Sequence, residues 1–278
     1  MKTIEKSLLG VLSLLMVACG SAEKSNTENT QEPQEPKVSG VEVTYNTDAT
    51  EMKGYIAYDE NMEGKRPGIL VVHEWWGHND YVRERADMLA QQGYVAIAVD
   101  MYGEGKQAGH PDDAGKFAGE VFANLDEAKA RFDAALETLK NDPHVDASQI
   151  AAIGYCFGGS VVLSMADAGY DLDAVAAFHA GLDLPIPPSK DIKAKILVAN
   201  GADDPFVPAA SVASYRAAMD SVGADYKYVA YDGAVHAYTS QQADALGEEF
   251  NLPLAYNADA DKASWNELMM LLQEIFNK

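Results

Sequence analysis

Six short runs dominated by apolar, β-branched and aromatic residues recur along the chain, at residues 68–72, 95–99, 150–153, 174–178, 196–199 and 226–231. Runs of this length and composition belong to strands buried on both faces of a sheet. Two opening strands are expected before them, at 41–45 and 52–58, the first with apolar/polar alternation. Helical patterns fill the intervals. Residues 81–92 end at Gly93, residues 117–140 are closed by Pro143, and residues 209–222 stop at Gly223. A last helix over 261–276 places Trp265, Leu268, Leu272 and Ile275 on one face. This alternation predicts an α/β fold, with a mostly parallel central sheet and helices on both faces. Sites in such sheets form at the carboxyl ends of the strands.

The N-terminus reads differently. Lys2 and Lys6 precede an apolar run at 8–17, the layout of an export signal, and the run is too short to span a bilayer comfortably. Met16-Val17-Ala18-Cys19 followed by Gly20 resembles a bacterial lipoprotein signal, with Met where Leu is usual. It implies cleavage after residue 18 and a lipid on Cys19, holding the protein to an envelope membrane in the periplasm or at the cell surface. An ordinary cleaved signal is the alternative, and it too takes the protein out of the cytoplasm. Residues 19–39 are rich in Glu, Asn, Thr, Gln and Pro and are expected to be a tether, leaving 40–278 as one domain.

The formal charge of −22 becomes −23 once residues 1–18, with Lys2, Glu5 and Lys6, are removed. Such a surface repels nucleic-acid phosphates, so no nucleic-acid partner is expected. Only two cysteines are present, Cys19 and Cys156. With the first assigned to the anchor, Cys156 has no disulfide partner, and an unpaired thiol in an exported protein needs another reason to be there.

That reason lies in its setting. The buried run at 150–153 leads into Gly154-Tyr155-Cys156-Phe157-Gly158-Gly159, and residues 160–166 read as the following helix. Strand, tight turn and helix with a nucleophile at the apex is the arrangement of the α/β-hydrolase fold, where small residues let the two chains pass closely. The backbone N–H of Phe157, at the helix N-terminus, can face a developing oxyanion.

A thiol of ordinary pKa near 8.5 needs a base, and the base needs an orienting carboxylate, later in the chain in the order nucleophile, acid, His. His236, just past the run at 226–231, is favoured over His179, which follows the run at 174–178 immediately and could line the cleft. The acid should follow the run at 196–199, where Asp203 and Asp204 compete; neighbouring side chains point apart, so one of them serves and the other suits a turn or cap.

Earlier, His73-Glu74-Trp75-Trp76-Gly77-His78 follows a buried strand. The histidines stand five apart and leave the strand through a glycine, so the H-E-x-x-H zinc geometry fails and no metal is expected. The better reading is a loop supplying a second oxyanion donor, the Trp75 N–H, with Trp75 and Trp76 walling the pocket. Tyr102 and Tyr238 are expected to join them.

Four motifs stand in order over residues 41–278: H-E-W-W-G-H-N at 73–79, G-Y-C-F-G-G at 154–159, D-P-F-V-P at 204–208 and G-A-V-H-A-Y at 233–238. Together they resemble the dienelactone hydrolase family. The resemblance implies Cys156 as nucleophile, Asp204 as the acid, His236 as the base, and a Glu74 that contacts the resting thiol and helps activate it when substrate binds. Pairing of Glu74 with a nearby Arg is the alternative use. The resemblance also implies that no cofactor is needed. The chain departs from the family in lacking the arginines that hold a substrate carboxylate: 236–241 reads His-Ala-Tyr-Thr-Ser-Gln, and between Tyr102 and Asn124 the basic side chains are Lys106, His110 and Lys116. The expected activity is acyl transfer to water from a small ester or lactone. Its rivals are a non-catalytic binding lipoprotein that keeps the fold and a thioesterase or peptidase.

Overall fold

The structure, a computed structural model, describes residues 34–276. The expected export signal, Cys19 and most of the tether lie outside the described residues. Residues 34–37 are exposed and irregular, and β1 (Val38–Asn46) begins three residues before the alternation at 41–45 predicts. The reason is pairing: Val38 stands opposite Asp59 of β2 (Glu51–Asp59), and the Lys37 N–H donates to the Asp59 carboxylate at 2.8 Å. No helix among the described residues is long and apolar enough to cross a membrane.

After this antiparallel pair come β3 (Arg66–Val72), α1 (Asp80–Gln91), β4 (Val95–Val99), α2 (Pro111–Ala123), α3 (Leu125–Lys140), β5 (Val145–Tyr155) and α4 (Phe157–Asp167). Then follow β6 (Ala174–Phe178), β7 (Lys195–Gly201), α5 (Ala209–Val222), β8 (Tyr226–Tyr231), α6 (Ala243–Phe250) and α7 (Ala258–Phe276). The eight strands lie in the order β1-β2-β4-β3-β5-β6-β7-β8. β2 meets β4 antiparallel, and every pair from β4 to β8 is parallel. The expected mostly parallel sheet is therefore present.

Alternation along β3 shows how the sheet is covered. Leu70 and Val72 face one layer, with Phe132, Ala135 and Leu139 of α3, Val161 of α4 and Met219 of α5. Ile69 and Val71 face the other, with Val82, Ala86 and Leu89 of α1 and Leu268 and Leu272 of α7. A strand with apolar side chains on both faces must be buried on both. Chain order reverses across β3, which lies between β4 and β5, so the loops after β3 and β5 open a crevice at their carboxyl ends.

Three helical readings change. The pattern at 117–140 is two helices, because Asn124 leaves the helical conformation (φ −128°, ψ 78°) and its side chain accepts from the Glu127 N–H at 3.2 Å, capping α3. Helix α2 starts earlier than expected, at Pro111, a residue pre-set for a first helical position. Helix α6 was not expected at all; at eight residues it is too short to display a clear period.

Candidate active site

Cys156 sits between β5 and α4 with φ 52° and ψ −115°, a left-handed backbone that a non-glycine residue adopts only under constraint. The constraint is the close passage of the chains around it. A Cβ on Gly154 would lie 2.1 Å from the Gly158 carbonyl oxygen, and one on Gly158 would lie 2.3 Å from that of Val72. Glycine at both positions lets the first turn of α4 press on the ends of β3 and β5, lifting the thiol into the crevice.

His236 follows β8 and Asp204 follows β7. Their loops are tied by the Asp203 N–H to the Ala234 carbonyl (3.0 Å) and the Ala202 N–H to the Tyr231 carbonyl (2.9 Å). Within this frame Asp204 Oδ2 accepts from His236 Nδ1 at 2.8 Å, and Asp204 Oδ1 accepts from the Phe206 N–H at 2.8 Å. Nδ1 therefore carries the proton, and Nε2 faces Cys156 Sγ at 3.1 Å. Asp203, one residue away, is exposed. Burial acts to lower the His236 pKa, but the sulfur's charge and the hydrogen bonds to Asp204 and Cys156 outweigh it and raise it to about 10.

The loop after β3 is fixed by His73. Its Nε2 accepts from the Met101 N–H at 3.2 Å, so its Nδ1 donates to the Glu74 carbonyl. That carbonyl also accepts from the Gly77 N–H at 3.1 Å. His78 is engaged as well, through Nε2 to the Ala98 carbonyl at 3.1 Å. Both histidines thus hold backbone, and they do not converge on one point. Among the described residues, neither the Trp75 nor the Phe157 backbone N–H has a hydrogen-bond partner. Both residues line a cavity of about 230 Å³ with Cys156 and His236.

The remaining lining is Ser160, Gly181, Phe206 and Leu254. Of the expected wall, Trp75 is present and three residues are elsewhere. Trp76 turns away to pack with Ala114, Ala243, Leu254 and the Phe250 ring. Tyr102 uses its hydroxyl to donate to the Trp75 carbonyl at 2.9 Å and borders a separate cavity with Phe117 and Arg131. Tyr238 is fully buried, donating to the Ala199 carbonyl at 2.9 Å beneath the His236 loop.

Glu74 is 4% exposed, and among the described residues its carboxyl has no hydrogen bond or ion pair. Burial raises its pKa to about 7, against the pull of His236 and Arg85. Arg85 is paired instead with Asp261 at 2.9 Å, so the alternative of a Glu74–Arg pair is not realised. Nor does Glu74 bond to the thiol, as the resemblance implies for the resting state; the sulfur is turned to His236.

His179 does not line the crevice. It is fully buried behind His236, with Nε2 hydrogen-bonded to Thr239 Oγ1 at 2.7 Å. The contributions of Phe206 and Leu254 were not read from the sequence. Phe206 lies inside the D-P-F-V-P turn and so had a signal. Leu254 reaches the site only through the bridge it forms with His236 across α6, which no local pattern announces.

Comparison with known proteins bears on this arrangement. The profile of the dienelactone hydrolase family matches residues 52–276. The protein named Usf of Aquifex pyrophilus is 30% identical over 223 residues, covering 78% of this chain and 95% of its own. A protein of Aquifex aeolicus (strain VF5) assigned as a carboxymethylenebutenolidase is 29% identical, over 74% of this chain and 89% of its own. Among solved structures, a dienelactone hydrolase-like promiscuous phosphotriesterase from metagenomic libraries has 33% identity and a TM-score of 0.81, covering 86% of this chain and 99% of its own.

Proposed function

The chain belongs to the dienelactone hydrolase family, hydrolases of the carboxylic ester and lactone type, and from that premise we propose that it cleaves such bonds through a Cys156–His236–Asp204 triad and an acyl-enzyme. The observation that carries the reading is the continuous line from Asp204 Oδ2 to His236 (2.8 Å) and from His236 to Cys156 Sγ (3.1 Å), ending at a strained apex. A nucleophile, a base and an orienting carboxylate within hydrogen-bond reach are what acyl transfer requires.

In this reading the Cys156 thiol gives its proton to His236 Nε2 as the sulfur adds to the ester carbonyl carbon, and the carbonyl π electron pair moves onto oxygen. The unpartnered Trp75 and Phe157 N–H groups receive that charge. Collapse of the adduct expels the alcohol oxygen, which takes the proton from His236 Nε2 and leaves a thioester on Cys156. Water then adds to the thioester as His236 Nε2 accepts its proton, and collapse of the adduct releases the acid while the departing sulfur recovers that proton from Nε2. Asp204 holds the imidazole in the tautomer and orientation both steps use.

Turnover of p-nitrophenyl acetate by the full chain tests this: Cys156→Ala should remove it, and equal rates in both would sink the reading. Substrate should also slow alkylation of Cys156 by iodoacetamide. Because a similar protein is a promiscuous phosphotriesterase, a neutral phosphotriester belongs in the same screen. The signal at residues 1–20 supports export and anchoring through a lipid on Cys19. Labelled palmitate should enter the wild-type chain and be lost with Cys19→Ala.

A further inference from the structure

We propose that this site selects neutral esters with a small apolar acyl group and rejects those whose acyl group ends in a carboxylate, because the position beside the reacting centre, Phe206, carries an apolar side chain and no cation. The proposal rests on the hydrolase reading above and deepens it.

The polar atoms facing the cavity are already committed. Cys156 Sγ and His236 Nε2 serve the reacting carbonyl, as do the two free backbone N–H groups. The Ser160 hydroxyl donates to the Gly181 carbonyl at 2.8 Å. What is left for the rest of an acyl group is the Trp75 and Phe157 rings, Phe206, Leu254 and the Gly181 backbone. Among the described residues no Lys or Arg lines this cavity.

The cations on nearby elements are held elsewhere. Arg85 is fixed by Asp261 and the Thr239 carbonyl. Arg131 is fixed by Glu127 and by the carbonyls of Met101 and Tyr102. Lys106 pairs with Glu104 at 3.5 Å and borders the separate cavity beside Tyr102. The acidic side chains close to the site are Glu74, buried and without a partner, and Asp204, already bonded to His236. A substrate carboxylate would thus lose its water beside apolar side chains, with no cation to replace it.

Size and shape point the same way. At about 230 Å³ the cavity lies below the usual ~300–1,000 Å³ of small-molecule sites, which limits the acyl group to a few carbons or one ring. Phe206 stands edge-on to His236 at 5.0 Å and is 49% exposed, one of only four large apolar side chains so exposed among the described residues. It flanks the reacting centre with a bare aromatic surface that an apolar acyl chain would cover.

A matched pair tests the proposal on the full chain: p-nitrophenyl valerate and mono-p-nitrophenyl glutarate, which have acyl chains of equal carbon count ending in a methyl or a carboxylate. The expected kcat/KM ratio is at least about 100 in favour of valerate. Phe206→Arg, at a half-exposed position, should bring the ratio below about 10 by raising glutarate turnover, and Phe206→Leu should keep it near 100. A wild-type ratio below about 100 overturns the selectivity, and an unchanged ratio in Phe206→Arg overturns the role given to position 206. Either result with Cys156-dependent turnover leaves the hydrolase reading standing; no Cys156-dependent turnover of either ester overturns both.

Discussion

The ring of His179 meets the ring of His236 edge to face, with centroids 5.3 Å apart. Behind it, Thr239 Oγ1 bonds both His179 Nε2 (2.7 Å) and the Tyr81 hydroxyl (2.6 Å). Burial, followed by the charges of His236 and Arg85, holds the His179 pKa well below its ordinary value, so the ring stays neutral. A neutral ring here can brace an imidazolium; a second positive charge would oppose it. On the proposed mechanism His179 would act through His236 as a positioning residue. His179→Phe should lower kcat for p-nitrophenyl acetate about tenfold, roughly 1.4 kcal/mol of barrier, with KM within about twofold. Thr239→Val should act in the same direction. Steady-state kinetics separate this from general destabilisation, which would lower the active fraction and leave the pH profile unmoved, whereas loss of the brace should shift it.

Glu74 gives a pH-dependent stability. Its folded pKa of about 7 lies above the ordinary 4.5, because burial disfavours the carboxylate. The folded state therefore binds the proton more tightly than the unfolded state does. The stabilisation is fully present below pH 4.5 and is lost as pH rises through about 7. Glu74→Gln, which is neutral throughout, should match the wild type near pH 4.5 and exceed it at pH 8 by on the order of 2–3 kcal/mol. Denaturant unfolding at the two pH values measures the difference.

Asp167 should behave likewise, far from the chemistry. It ends α4, is 2% exposed, and both its carboxyl oxygens lack hydrogen-bond partners among the described residues. Burial raises its pKa to about 7, and a carboxylate at a helix C-terminus also opposes the helix dipole. Asp167→Asn should raise the thermal midpoint at pH 8 by about 2–4 °C, shrinking toward zero near pH 4, with kcat unaltered.

Two glycines separate packing from propensity. Gly158→Ala drives a Cβ to 2.3 Å from the Val72 carbonyl and 2.6 Å from that of His73. Backbone on that side cannot retreat, so a loss of at least ~3 kcal/mol, or failure to fold, is expected. Gly119→Ala, in α2 with nothing within 4 Å, should instead stabilise by about 0.5–1 kcal/mol. Chemical denaturation of both variants tests the contrast.

Local patterns in the sequence reach the fold because burial on both faces leaves continuous apolar runs, as in β3 and β4. They also locate Cys156, since a left-handed apex needs small neighbours and Gly154, Gly158 and Gly159 are visible in the chain. They do not show that Asn124 splits a helix, because an asparagine cap inside an apolar period looks like a tolerated polar residue. Tyr102, Trp76 and Tyr238 are aromatic residues beside motif positions, and whether such a ring faces a cavity or a core depends on partners distant in sequence. For Tyr238 that partner is the Ala199 carbonyl; for Trp76 it is Phe250 on a helix that sequence period does not reveal. The choice between Asp203 and Asp204 belongs to the same class, being settled by hydrogen bonds between two loops.

Every residue of α4 is buried, whereas β8, at the edge of the sheet, is only half-buried along most of its length. The thiol is therefore fastened to one of the best-protected segments, while the strand that leads to the imidazole has less cover. Amide hydrogens of α4 should exchange only through global opening, while those around β8 exchange through smaller excursions. An excursion that reached the loop after β8 would carry His236 off the sulfur without disturbing the centre of the sheet. Mild denaturant should then silence the protein while its circular dichroism is still native, and dilution should restore it at the rate of a local closure.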